Sequence, residues 1–370
     1  MRKYYLDNVR WMTIVLVVVY HVIYMYNSIV ADIGIGPFYE SQPWDGLQYV
    51  LYPWFMVLLF IVAGMCSRYY LEKHTVKEFI RSRTRKLLVP STIGLFVIGW
   101  AQGYISMAIS DAFQTIPDTV PRFVLYLIMV LSGTGVLWFI QMLWWLSLLL
   151  LIVRKFEKGK IYELCGRINV VGLILLVIPV YLSGLILNTP VIVVYIFGIY
   201  GFTFFLGYFV FAHDEVIDRL SKYAVLLIAA AIILAVIYVV LHYGDNFAEA
   251  PTVNSIPAVA YLWAACLAIL ASMKKWGNTM PKFAEFMSKR SFGLYVFHYL
   301  PLSATAYALR KFTSVPALPS YLLIALAAFL GSLVLFEVIS RIPVLRWCVL
   351  GMKKEKTSNN VTRRNGDENV

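Results

Sequence analysis

Ten stretches of this chain are apolar for long enough to cross a bilayer, and that property decides which folds are open to it. The hydrocarbon core of a membrane is about 30 Å thick, which a helix crosses in about 17–25 residues. Windows of that kind fall at 11–30, 47–67, 87–109, 134–153, 170–187, 190–211, 222–242, 256–273, 291–309 and 320–340. Of the 370 residues, 61% are hydrophobic and only 14% charged, more apolar surface than a soluble domain can hide. Alternating strands between turn clusters, the signature of an outer-membrane barrel, are missing. The chain therefore reads as an all-α, polytopic membrane helix bundle of about ten transmembrane helices. The stretch 119–131 is too short to cross and is expected at the outer interface. Only "NTP" separates 170–187 from 190–211, and one long broken helix there would change the count.

The net charge of +12 could suggest a nucleic-acid ligand, but its distribution points to topology. With both termini cytoplasmic, 29 of the 32 Lys and Arg residues fall in inner segments, leaving Arg122, Arg310 and Lys311 outside. No nucleic acid is expected as a partner; the lipid bilayer is. The N-terminus is basic and then apolar, yet it continues into "YHVIYMYNS" with no small-residue cleavage site, so it reads as a retained first helix. Residues 1–341 form the transmembrane domain, and 342–370 a basic cytoplasmic tail expected to be disordered, its final stretch, 353–370, being polar and free of Pro. Cys66, Cys165, Cys266 and Cys348 are widely spaced without a CxxC and are expected as free thiols.

Few residues could carry chemistry in such a chain. His21 lies eleven residues after Arg10, close to three helical turns, so the two share nearly one face. The imidazole then sits about 16 Å deeper than Arg10, near the bilayer centre, where an ionisable group is costly. It is either a buried histidine bonded to a neighbouring helix or a base able to take a proton from a hydroxyl near neutral pH. Arg10 is equally readable as a helix-end anchor, and Asp7 as an N-cap. "FIRSRTRKLLVP" gathers Arg81, Arg83, Arg85 and Lys86, which is either a phosphate-binding lip or ordinary flanking charge. His298 lies about two turns into the 291–309 window. Glu337, four residues before Arg341, has the spacing of a helical ion pair. No GxSxG, Walker A, GxGxxG or HExxH pattern occurs, and no metal site is expected. The outer loops are acidic (Asp32, Glu40, Asp45, Asp111, Asp118, Asp245, Glu249) and nearly free of Lys and Arg, which disfavours a highly anionic substrate there.

Taken together, "YLDNVRWMTIVLVVVYH", "LLFIVAGMCSRYYL", "FIRSRTRKLLVP", "GVLWFIQMLW" and "SFGLYVFHYLP" resemble the acyltransferase-3 family of bacterial integral membrane acyltransferases. The ending "FEVISRIPVLRWCVLGMKK" is similar to the branch containing the periplasmic-glucan succinyltransferases. The family's arginine–ten residues–histidine pattern falls on Arg10 and His21, which implies a catalytic or supporting role for both. Its second basic motif, arginine–two residues–arginine, falls on Arg83 and Lys86; lysine departs from it, and Arg85 could substitute. The glutamate that some branches carry after "LWF" is Gln141 here. The resemblance implies a multi-pass protein of the bacterial cytoplasmic membrane. It would move an acyl group, acetyl or succinyl, from cytoplasmic acyl-CoA (commonly acetyl-CoA, a co-substrate rather than a bound cofactor) to a hydroxyl of an extracytoplasmic carbohydrate. His298, Asp7 and Glu337 are candidate supporting residues. The competing function is a glycan or lipid exporter that binds without covalent chemistry.

Overall fold

The computed structural model describes residues 2–30, 34–186 and 196–352; Asp32, the "NTP" junction and the stretch from 353 onward lie outside them. Among the described residues every regular element is helical. In chain order the principal helices are α1 (Tyr4–Tyr24), α2 (Gly46–Leu71), α3 (Val76–Ile109), α4 (Arg122–Ser132), α5 (Trp138–Glu157), α6 (Val170–Gly184), α7 (Phe197–Phe211), α8 (Ala224–His242), α9 (Ile256–Trp276), α10 (Lys282–Phe297), α11 (Tyr299–Phe312), α12 (Ala317–Arg341) and α13 (Pro343–Leu350). Seven of these, α1, α2, α3, α5, α8, α9 and α12, are long and apolar enough to cross a membrane. The windows at 170–187 and 190–211 correspond to the shorter α6 and α7, and the 119–131 stretch to the eleven-residue α4.

The window at 291–309 is divided between α10 and α11, and Pro301 explains the break. A proline has no N–H, so the Phe297 carbonyl loses its partner four residues on, and the chain steps at His298. The bonds on either side survive, from His298 N–H to Leu294 O and from Leu302 N–H to His298 O. His298 is thus held at a kink inside the bundle.

α1 begins well before its apolar run because its first turn is satisfied from outside the helix. Tyr5 N–H donates to Asn278 Oδ1 at 3.1 Å, and Asn8 Nδ2 donates to the carbonyls of Gly277 and Thr279, both at 2.7 Å. Asp7 is therefore not an N-cap. Lys3 holds that position without a side-chain bond, and Asp7 lies inside the first turn, where a negative charge suits the helix dipole.

α2 is the central helix, packed by α1, α7 and α9 and buried over most of its length. Its crossing with α7 is a contact of backbones. A Cβ on Gly64 would lie 2.0 Å from Phe204 O, and one on Gly207 would lie 2.1 Å from Ile61 O. Without a hydrophobic drive between helices in lipid, such small-residue contacts supply close packing. α8 and α12 lie at the periphery with rows of exposed Leu, Ile and Val, the surface a bilayer covers.

α3 starts in a capping box, Thr75 with Glu78, and is interrupted by two π-turns, at Thr84–Leu88 and Leu95–Gly99. Pro90 cannot donate to the Lys86 carbonyl, which favours the first of them. Arg85 and Lys86 lie within that turn. α13 packs against it from outside: Gly351, at φ +59°, comes so near that a Cβ would sit 2.1 Å from Arg85 O. Residues 343–352, assigned above to the tail, are thus part of the folded bundle.

Candidate active site

Two histidines meet between α1 and the kink after α10. His298 Nε2 lies 3.3 Å from His21 Nδ1, with ring centroids 5.1 Å apart. His21 Nδ1 is also 2.8 Å from Val17 O, one turn back on α1. His298 Nδ1 is 2.8 Å from Tyr295 O and 3.1 Å from Leu294 O. A carbonyl oxygen only accepts, so both rings carry their proton on Nδ1. His21 Nδ1–H is then shared between Val17 O and His298 Nε2. His21 Nε2 keeps its lone pair and has no hydrogen-bond partner among the described residues. Which nitrogen of His21 is left free is thus set by the bonds its other nitrogen makes.

His298 is fully buried, whereas His21 keeps accessible surface. The phenol rings of Tyr20, Tyr24 and Tyr299 surround His21 at 5.2, 6.3 and 5.1 Å. Tyr295, one turn before His298, donates its hydroxyl to Val136 O and ties α10 to the turn ahead of α5.

The basic residues assemble at the other end of α1. Arg10 donates to Asp7 Oδ1 at 2.7 Å, and Asp7 also accepts from Arg2 at 2.8 Å. Arg83 Nη2 donates to Ser67 Oγ at 2.8 Å, and its guanidinium lies 5.0 Å from the Phe79 ring centroid. Arg10, Arg83, Arg85 and Lys86 are near enough to feel one another's charge. No carboxylate among the described residues pairs with Arg83, Arg85 or Lys86, and Arg85 Nε is buried without a partner. Arg81 stands exposed and has no ion pair among the described residues. A cavity of about 620 Å³ opens beside the cluster and is lined by Arg2, Lys3, Asp7, Cys66, Tyr69 and Asp214, among others. Its own charges are mostly matched: Lys3 pairs with Asp214, and Arg2 with Asp7.

The remaining candidates fall into ordinary roles. Glu337 forms the expected pair with Arg341 at 2.6 Å, on an exposed stretch of α12. Gln141 donates to Ser91 O at 2.9 Å and joins α5 to α3. All four cysteines are free. The direct contact of the two histidines was not readable from spacing, because 277 residues separate them. The only available signal was "HYLP", a polar residue set beside a helix-breaking proline within an apolar run.

The acyltransferase-3 family, described as an acyltransferase domain, matches residues 3–337. The chain belongs to the acyltransferase-3 family. The match takes in α1 through nearly all of α12, so both histidines and the basic cluster lie within the acyltransferase domain. Membership makes this a multi-pass membrane protein of an acyltransferase family. No curated protein and no solved structure matches the chain.

Proposed function

We propose that this acyltransferase-3 protein moves an acyl group, acetyl or succinyl, from a cytoplasmic acyl-CoA to a hydroxyl of a carbohydrate outside the cytoplasmic membrane. The observation that carries this reading is the proton-free Nε2 of His21, held in the last turn of α1 about 16 Å from Arg10. In the reaction, that nitrogen removes the proton of the acceptor hydroxyl. The oxygen attacks the thioester carbonyl carbon, a C–O bond forms and the C–S bond breaks. The departing thiolate takes the proton back from His21, so the products are the ester and free CoA. Imidazole suits both transfers, since the same nitrogen can take up a proton and return it. His298 Nε2 accepts from Nδ1–H and stabilises the imidazolium between the two transfers, acting as a positioning residue.

The unneutralised Arg83, Arg85 and Lys86, with Arg10 beside them, support a donor whose phosphates rest at that end. Arginine forks match phosphate oxygens, and lysine adds a point charge. Arg83→Ala is expected to weaken acetyl-CoA binding by roughly tenfold or more, since a charge-assisted hydrogen bond is worth about 1.5–3 kcal/mol. Titration of the purified protein with acetyl-CoA measures this, and unchanged affinity would reduce the cluster to a topology signal.

With Arg10 and the basic cluster on the cytoplasmic side, the 29-to-3 distribution of Lys and Arg supports cytoplasmic termini. In a background lacking the four native cysteines, cysteines replacing the exposed Ser41 and Thr119 should react with an impermeant maleimide in intact cells. Cysteines replacing the exposed Lys77 and Lys282 should react only after the membrane is opened. Any of the four reacting from the opposite side would require a different span count. The function itself is tested by release of CoA thiol from acetyl-CoA by purified protein, with mass spectrometry of surface glycans made with and without it. Glycan export without thiol release or a missing acyl mass would favour the exporter instead.

A further inference from the structure

The surroundings of His21 on the side away from Arg10 hold polar groups with nothing to bind. Gln48 and Tyr52 are four residues apart and share one face of α2. Gln48 is fully buried, and among the described residues neither its amide nitrogen nor its amide oxygen has a hydrogen-bond partner; the buried hydroxyl of Tyr52 has none there either. Leaving such groups unpaired is costly, and native proteins rarely do so without a reason. Tyr52 faces Tyr20 at 5.9 Å, Tyr20 stacks on Tyr24 at 5.6 Å, and Tyr299 closes on His21 from α11. The hydroxyls of Tyr20, Tyr24, Tyr52 and Tyr299 are close enough to influence one another electrostatically, and no carboxylate or cation joins them. None of the four donates a hydrogen bond to a described residue. His21, Tyr24 and Tyr299 keep accessible surface deep in the bundle.

We infer that Gln48, Tyr52, Tyr20, Tyr24 and Tyr299 form the acceptor subsite and that it takes a neutral, hydroxyl-rich sugar ring. The inference rests on the acyl-transfer reading and specifies where its second substrate sits. Aromatic faces stack on the C–H face of a pyranose, while phenols and a free amide supply donors and acceptors for its hydroxyls. The lack of a positive charge in the set selects against uronates and phosphosugars. α1 and α2 run antiparallel, so Gln48 lies one turn beyond Tyr52, on the opposite side of His21 from the basic cluster. Donor and acceptor then approach the same imidazole from opposite ends of α1.

The experiment measures binding of maltohexaose, cellohexaose and laminarihexaose to the purified full-length protein by intrinsic fluorescence, with acetyl-CoA titrated in parallel. The wild type should bind at least one of the three, and should bind it more tightly than hexagalacturonate or tetramethylammonium. Gln48→Leu and Tyr52→Phe should each weaken that binding about fivefold, and the pair more than tenfold, with acetyl-CoA affinity unchanged. If Gln48→Leu does not fold, Tyr24→Phe takes its place. The inference is overturned by a wild type that binds none of the neutral sugars at millimolar concentration, or by variants that bind them normally. It is equally overturned if uronate or tetramethylammonium binds more tightly, or if the variants lose acetyl-CoA in parallel. His21→Ala separates the two layers: it should bind sugar normally but transfer the acyl group about 10²–10⁴-fold more slowly. Normal sugar binding by the subsite variants with a slowed His21→Ala would remove the subsite and leave the base, whereas a His21→Ala of normal rate would remove the base.

Discussion

His21→Ala is expected to insert and fold as the wild type does while losing about 10²–10⁴-fold in acyl-transfer rate, the usual contribution of a positioned general base. Folding should survive because the His21 ring is only partly buried and its bonds are to Val17 O and His298 Nε2, not to an ion that would be left uncompensated. The measurement is single-turnover transfer from labelled acetyl-CoA, with retention on size exclusion and acetyl-CoA affinity as controls for folding. The loss should appear in kcat, because the base acts on the reacting hydroxyl and does not hold the donor. A variant within a few-fold of wild-type turnover would sink the base assignment.

The second large effect belongs to His298. Its Nε2 accepts from His21 Nδ1–H, and a hydrogen bond to a group that becomes charged is worth about 1.5–3 kcal/mol, or roughly 10–150-fold in rate. His298→Ala should therefore lower kcat by about that factor with little change in KM for acetyl-CoA. His298→Gln should recover a large part of the loss, because an amide oxygen can accept the same proton. A purely structural role predicts a different result: with His298 fully buried at the α10–α11 kink, alanine and glutamine would both lower thermal stability, and glutamine would rescue nothing. Equal kcat losses in the two variants, or no loss in either, would remove His298 from the mechanism.

Much of the fold was legible in the sequence because lipid imposes few choices. A run of apolar residues of the right length has to form a helix, whatever its neighbours are. The windows that became α1, α2, α3, α5, α8, α9 and α12 were found this way. Others were blurred by local chemistry. Pro301 divided one window at His298, and the start of α1 moved back to Tyr4 because the loop at 277–279 satisfies its first turn. Pro90 broke the regular register of α3 and set Arg85 and Lys86 in a π-turn, which counting residues cannot foresee.

Sequence by itself determined a helical membrane protein of the acyltransferase-3 family, with Arg10 and His21 on one helix about three turns apart, since composition and helical pitch are local properties. Only the tertiary structure decided what His21 touches. The contact with His298 bridges 277 residues, and the ring of Tyr24, Tyr52 and Tyr299 draws on three different helices. Asp7, Arg10, Arg83 and Lys86 were all named from their order in the chain, yet only the fold divides them. Asp7 is matched by Arg2 and Arg10, and Arg83 and Lys86 are left without a counter-ion among the described residues. The reason is that charge pairing and hydrogen-bond direction depend on distances of a few ångströms between helices, which periodicity along one helix does not encode.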